Sequence, residues 1–287
     1  MNIIFQINGG IGKVIASTAI CASIKSKYPN DKLIVVSGYP EVFLGNPYVE
    51  RAYAFGQQAY FYQEYIENQE VLILAHDPYL EAKHIKNEEH LIETWCKLFD
   101  LRITKTTGEL FLTHREIDFF SKKFVSDKPI FLMQTNGGGE SEQKYSWARD
   151  IPSYVVENII YKFKDEYNIV HIRRDDQPQY DGTFGVSDTF RALLVLIQMS
   201  DKRLLMDSFG QHAAAALNKP STVLWICNSP KVFGYDIHTN IQANAETATP
   251  ELRNSYLNKY NISGDPIEFP YEKETDIFNV EQIIKSI

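Results

Sequence analysis

The stretch Lys202–Ile226, KRLLMDSFGQHAAAALNKPSTVLWI, constrains this chain more than any other. It reads as a buried strand from Arg203 to Met206, a sharp turn at Asp207-Ser208, a short helix from Gly210 to Leu217 and a second strand from Ser221 to Cys227. Four consecutive alanines, Ala213 to Ala216, open the helix backbone to close approach by another surface. Asn218 suits a helix stop, and Pro220 prevents continuation. In open parallel α/β sheets, ligands bind beyond the carboxyl ends of strands and against helix N-termini. The N–H groups of Ser208, Phe209 and Gly210 would there favour an anion, above all a phosphate. Asp207 suits two tasks, capping the helix or binding hydroxyl groups, and Gln211 and His212 follow in the first turn. An ordinary βαβ unit with an Asp N-cap accounts for these residues equally well.

The amino-terminal stretch opens a second unit of the same kind. Asn2 to Ile7 is an apolar strand, the turn NGGIGK (Asn8 to Lys13) leads into a helix through about Lys27, and Lys32 to Ser37 is a second strand. The turn is neither of the two familiar phosphate loops, because Val14 follows Lys13 and Ile15 stands at the third glycine position. Asn8, Gly9, Gly10 and Gly12 suit close approach of a sugar or acceptor to the backbone, or a simple tight turn. The strand Glu70 to Ala75 delivers His76 and Asp77 at its carboxyl end, facing a cleft if the strand order is doubly wound and otherwise starting a loop. Ala59 to Tyr65 is aromatic and reads as a sugar-binding wall or as core. Glu89 to Leu101 is an amphipathic helix on which His90 is structural. Thr113-x-x-Glu116 is a capping box opening a helix to about Val125.

Ser126 to Pro129 breaks the pattern and divides the chain into residues 1–127 and 128–287, two Rossmann-like domains. Pro129 to Thr135 is a strand followed by a Gly-rich loop, Asn136 to Gly139, and by a helix capped near Ser153. Asn168 to Arg173 is a strand ending in Arg173 to Asp176, either nucleotide contacts or a solvated loop. Ser187 or Asp188 caps the apolar helix TFRALLVLIQM. A long loop, Asn228 to Asp236, precedes the strand NIQANA and a helix from Pro250 to Tyr260. The terminal helix, Phe278 to Ile287, is expected to pack back on the first domain.

Composition narrows the class. The chain has 287 residues, 44% hydrophobic and 23% charged, enough for two α/β cores. No apolar run approaches the ~20 residues that span a bilayer. The formal charge of −8 argues against a nucleic-acid partner. Cys21, Cys96 and Cys227 are far apart, without metal-ligand spacing, and suit buried thiols in a reducing compartment. With no signal-peptide pattern at Met1, a cytoplasmic location is expected.

The segment D-S-x-x-x-H-x-A-A-A-L-x-K-P, Asp207 to Pro220, resembles the donor site of the heptosyltransferase-like glycosyltransferases, family 9, of GT-B fold. Phe209 and Asn218 depart from the glycines usual there. The opening strand, Gly-rich turn and helix follow that family's order through Asn46 to Glu50, and His90 and Glu93 match its helix. Lys144-Tyr145-Ser146-Trp147 is similar to its K-x-W element. The resemblance implies two Rossmann-like domains facing across a cleft, and an inverting, metal-independent transfer from a nucleotide-diphosphate sugar to a glycan or lipid-linked glycan, without a cofactor. It implies a donor site of Lys144, Asp207, Ser208, Phe209, Gly210, Gln211 and His212, with Trp147 packed beneath the loop. Lys13 stands where the family commonly has its catalytic aspartate. Protonated lysine cannot accept the acceptor's proton, so Asp77, with His76 next, is expected to be the base and Lys13 a ligand of an acidic acceptor or donor phosphate. A nucleotide-sugar epimerase and a catalytically silent nucleotide-sugar-binding protein stay open beside this reading.

Overall fold

A computed structural model describes residues 1–57, 59–137, 147–248 and 269–287. Lys144 and the helix expected from Pro250 to Tyr260 lie outside the described residues.

The first half runs β1 (Asn2–Ile7), α1 (Ile11–Lys27), β2 (Lys32–Ser37), β3 (Arg51–Ala54), α2 (Phe61–Tyr65), β4 (Val71–Leu74), α3 (Ala82–Ile85), α4 (Leu91–Leu98) and α5 (His114–Phe120). Its four strands are parallel in the order β3-β2-β1-β4. The second half runs β5 (Ile130–Gln134), α6 (Ser153–Phe163), β6 (Asn168–Ile172), β7 (Phe184–Val186), α7 (Phe190–Met199), β8 (Lys202–Met206), α8 (Phe209–Ala216), β9 (Thr222–Trp225), α9 (Pro230–Phe233), β10 (Thr239–Gln242) and α10 (Val280–Ser286). Its six strands are parallel in the order β10-β9-β8-β5-β6-β7. Both sheets therefore reverse direction beside their first strand, between β1 and β4 and between β5 and β8. Those switch points open crevices at the carboxyl ends of strands, and both crevices face one cleft.

Sheets covered by helices on both faces need strands that are apolar throughout. β5 is buried along its whole length, and β2 at every residue but the first. One core cluster joins the halves, taking Ile3, Phe5 and Ile7 from β1 and Ala213, Ala214 and Trp225 from the second half. α1 lies against α8, and it is buried from Lys13 to Ile24 because it is covered by its own sheet and by the opposite half. The alanine run has its explanation here, since small side chains let the two helix backbones approach.

The carboxy-terminal helix departs from expectation. α10 packs on α6 of the second half, with Ile283 in that half's core, and the Ser286 carbonyl accepts from the Thr222 hydroxyl at 2.9 Å. Its apolar stripe is used there, so it does not return to the first half. Nor do Ser187 or Asp188 cap α7; Thr189 does, through the Ala192 N–H. The capping box at Thr113 and Glu116 forms as expected, and the α5 it opens packs on α7. There Arg191 donates to Glu116 at 2.7 Å and to the Phe111 carbonyl.

The Arg191 guanidinium, with the two bonds from Thr113, holds the Glu116 carboxyl down at about 2, from 4.5. A carboxyl depressed by folding stabilises the fold above its unfolded value, and that contribution is lost as pH falls through the folded one. Glu116→Gln is therefore expected to cost stability at pH 6 in urea unfolding. The difference from the parent protein should shrink between pH 4.5 and about 2.

Candidate functional site

A cavity of about 610 Å³ lies where the two sets of strand ends meet. The first half contributes Gly10 to Lys13, Tyr39 and Tyr79; the second contributes, among others, Gln134, Asn136, Arg149, Asp207 to Phe209, His212 and Asn228.

On the first wall, Gly9 has φ +107, a left-handed conformation that suits glycine, and a Cβ there would stand 3.1 Å from Lys13 Cδ. Lys13 is thereby folded back into the wall. Its Nζ lies 2.6 Å from Asp77 Oδ1 and 4.2 Å from the centre of the Tyr79 ring. Burial lowers the Lys13 pKa, and the hydrogen bond and charge of Asp77 oppose that fall. Asp77 Oδ1 also accepts the Tyr79 N–H at 3.0 Å, capping the short turn Pro78–Leu80. Asp77 does not itself line the cavity but adjoins Lys13 and Tyr79, which do, and its side chain is 33% exposed. His76 is exposed and does not line the cavity, and Asn8 and Gly9 stand outside it as well.

The second wall is more tightly bonded than the sequence suggests. Of the three amides expected at the start of α8, the Ser208 N–H donates to the Met206 carbonyl and the Gly210 N–H to Gln134 Oε1 at 3.1 Å. A Cβ at Gly210 would meet that oxygen, which is why a glycine stands there. Gln134 also donates to the Ser208 hydroxyl at 3.1 Å, so one buried side chain at the end of β5 holds the turn. Asp207 caps nothing: the N-cap is Ser208, whose side chain accepts from no helix N–H, and the Asp207 carboxylate accepts from Asn228 Nδ2. Burial raises the Asp207 pKa, while Asn228 and the Arg149 charge pull it down. Gln211 is fully buried and donates to the Phe233 carbonyl, away from the cavity. His212 lines it, with Nδ1 2.8 Å from the Tyr235 hydroxyl.

Arg149 is the cation that sequence reasoning passed over. Its segment is stitched between strand ends: the Ile151 N–H donates to Thr135 and the Cys227 N–H to Ala148. Asp150 accepts from the Asn136 amide and the Gly137 N–H, both at 3.0 Å. Gly137 passes so close to the guanidinium that a Cβ would stand 2.9 Å from Arg149 Nε. The signal available was Arg149-Asp150 after Trp147, a charged pair following a strand–loop unit. Arg173 and Arg174 also border the cavity, but Arg173 donates to the carbonyls of Gln177 and Pro178, and Arg174 pairs with Asp176 at 3.0 Å. The aromatic run Ala59 to Tyr65 lines no part of the cavity; Phe61 and Tyr65 pack around Tyr53. Trp147 packs against Phe269. His90 is structural, capping α4 through the Ile92 N–H and bonding the Gly234 carbonyl across the halves. Among the described residues no group of three or more His, Cys, Asp or Glu side chains is placed to hold a metal ion, and no helix is long and apolar enough to cross a membrane.

Gly12 is where the walls touch. A Cβ at Gly12 would lie 2.7 Å from His212 Cδ2 and 3.6 Å from the Phe209 backbone. Gly12→Ala is therefore expected to lower stability by about 1–3 kcal/mol, the usual cost of overpacking, measured by chemical denaturation. An unchanged midpoint would mean that the halves separate at no cost.

No protein-family model matches the sequence, and no curated protein does. Solved structures match across most of the chain. A family 9 glycosyltransferase from Veillonella parvula is similar at 13% identity, covering 99% of this chain and 95% of that one, with a TM-score of 0.68. E. coli ADP-heptose lipopolysaccharide heptosyltransferase II matches at 14% identity over 84% and 90%, with a TM-score of 0.66. E. coli heptosyltransferase WaaC, solved with ADP, matches at 13% identity over 85% and 94%, with a TM-score of 0.57. At these identities the likeness is one of fold, and the chain has the two-domain GT-B architecture of the heptosyltransferases and family 9 glycosyltransferases.

Proposed function

We propose that the chain is a glycosyltransferase that moves a sugar from a nucleotide-diphosphate sugar to a hydroxyl of a glycan or lipid-linked glycan, by inversion and without a metal. The observation that carries this reading is the convergence on one cleft of Asp207, Arg149 and the start of α8 from one half with Lys13, itself bonded to Asp77, from the other. ADP in the WaaC structure of the same fold makes an adenine nucleotide the first donor to try.

The donor belongs on the second wall. Asp207, fixed by Asn228, presents a carboxylate to sugar hydroxyls. Arg149 and the Phe209 N–H face the diphosphate, with Lys144 assigned to the same task by resemblance. Donors held in place beforehand stabilise the charge that grows on a leaving group without reorganising. The acceptor hydroxyl comes from the first wall, over Gly10 and Gly12. Its oxygen bonds to the anomeric carbon as its proton passes to Asp77, and the nucleoside diphosphate leaves with the electron pair of the broken C–O bond. Asp77 Oδ1 is held by Lys13 and the Tyr79 amide, which leaves Oδ2 for the proton. Lys13 orients that carboxylate and offers its charge to the acceptor.

A ligand at 100 times its Kd stabilises a fold by about 2.7 kcal/mol. Of ADP, UDP and GDP in a thermal-shift panel, at least one is expected to raise the melting temperature, and Arg149→Ala to reduce that shift. No shift in the well-folded protein would remove the donor site.

Asp77→Asn is expected to lower kcat by about 10²–10⁴-fold, the range for loss of a general base, at unchanged nucleotide affinity. Lys13→Ala should mainly raise the acceptor KM. Full activity in Asp77→Asn with a Lys13→Ala variant dead at saturating acceptor would reverse the two roles.

A further inference from the structure

His212 is held from behind by a single hydroxyl. His212 is 6% and Tyr235 4% exposed, and His212 Nδ1 and the Tyr235 oxygen are 2.8 Å apart, with the rings edge to face. A buried phenol that does not donate its proton leaves a polar group unsatisfied. His212 Nδ1 is the one partner that the described residues offer the Tyr235 hydroxyl. Tyr235 therefore donates, Nδ1 accepts, and the ring proton sits on Nε2.

The neighbouring histidines do not compete for that proton. His90 Nδ1 accepts the Ile92 N–H, so its Nε2 donates to the Gly234 carbonyl at 3.0 Å. His238 Nε2 donates to the Gln211 carbonyl at 2.9 Å. Burial, with His90 and His238 close by, pulls the His212 pKa down to about 3, so the ring is neutral. Its other edge faces the cleft: a Cβ at Gly12 would stand 3.2 Å from Nε2, Gly12 and His212 both line the cavity, and Nε2 has no partner among the described residues.

We propose that Tyr235 is a positioning residue whose hydroxyl locks His212 in the tautomer that points its Nε2–H into the cavity, as a neutral donor to an anionic oxygen of the donor diphosphate. The diphosphate rests on the glycosyltransferase reading; the tautomer lock does not. An uncharged donor in this place adds direction to the site without adding a further cation to the cavity that Arg149 already lines. The glycine at position 12 is what leaves room for a ligand oxygen to reach it.

Long-range ¹H–¹⁵N NMR of ¹⁵N-histidine-labelled protein separates the tautomers, with His212 identified by the signals lost in His212→Gln. The parent protein is expected to show Nε2–H alone at His212. Tyr235→Phe keeps the ring and removes the hydroxyl, and should give a mixture with Nδ1–H. ADP should move the His212 Nε2 resonance in the parent protein, and Tyr235→Phe should bind ADP about tenfold more weakly, the loss of one well-oriented hydrogen bond. An Nδ1–H tautomer in the parent, or an unchanged tautomer in Tyr235→Phe, overturns the lock. If ADP binds but neither moves Nε2 nor weakens in Tyr235→Phe, the donor role falls. If ADP fails to bind the parent protein while the tautomer is as expected, the nucleotide reading fails and the lock stands. Should Tyr235→Phe not fold, the parent spectra with and without ADP decide both points.

Discussion

The contact between α1 and α8 is the interaction on which the rest of the molecule depends. It places two crevices, each made by a sheet's own reversal of strand order, opposite one another. Gly12 answers a steric requirement of that contact: α1 carries no side chain where the His212 ring and the Phe209 backbone of α8 come against it. The contact also carries the apolar core continuously from one sheet to the other. Hydrophobic burial fixes the geometry, and the polar groups are displayed on it.

Charge is distributed unequally over the two walls. On the first, a buried ammonium and a partly exposed carboxylate lie 2.6 Å apart, so each sets the other's orientation. Removing one partner of such a pair leaves the other uncompensated and is costlier than the pair's net worth. On the second, Asp207 is deeper and is supported by an amide rather than a cation, which leaves Arg149 near it but available to face the cavity.

Much of this was legible in the sequence because it is periodic or steric. The apolar strands β1, β2, β5 and β8, the capping box at Thr113, and the strand–turn–helix at Asp207 follow from patterns a single chain displays. β3 and β7, of four and three residues, are too short to show a period and take their form from the strands beside them. The site was half legible. Asp207, His212, Gly12 and Lys13 announce themselves by position at strand ends. Gln211 shares a helix turn with His212 but faces inward, a distinction that only the helix's rotation decides. Gln134 and Arg149 act through contacts with residues far away in sequence, Gly210 and Asp207, and no local pattern marks them.

The stitching of residues 148–151 between the ends of β5 and β9 has a further consequence. Gln134, Asn228 and Asp207 are held by bonds within the second half, as is the segment that carries Arg149, so the second wall needs nothing from the first half to take its form. The first half brings Gly12 against His212 only when the helices are in contact, whereas Lys13 pairs with Asp77 within the first half itself. Each wall is thus finished within its own half, and the contact at Gly12 sets the spacing between two surfaces that are already formed.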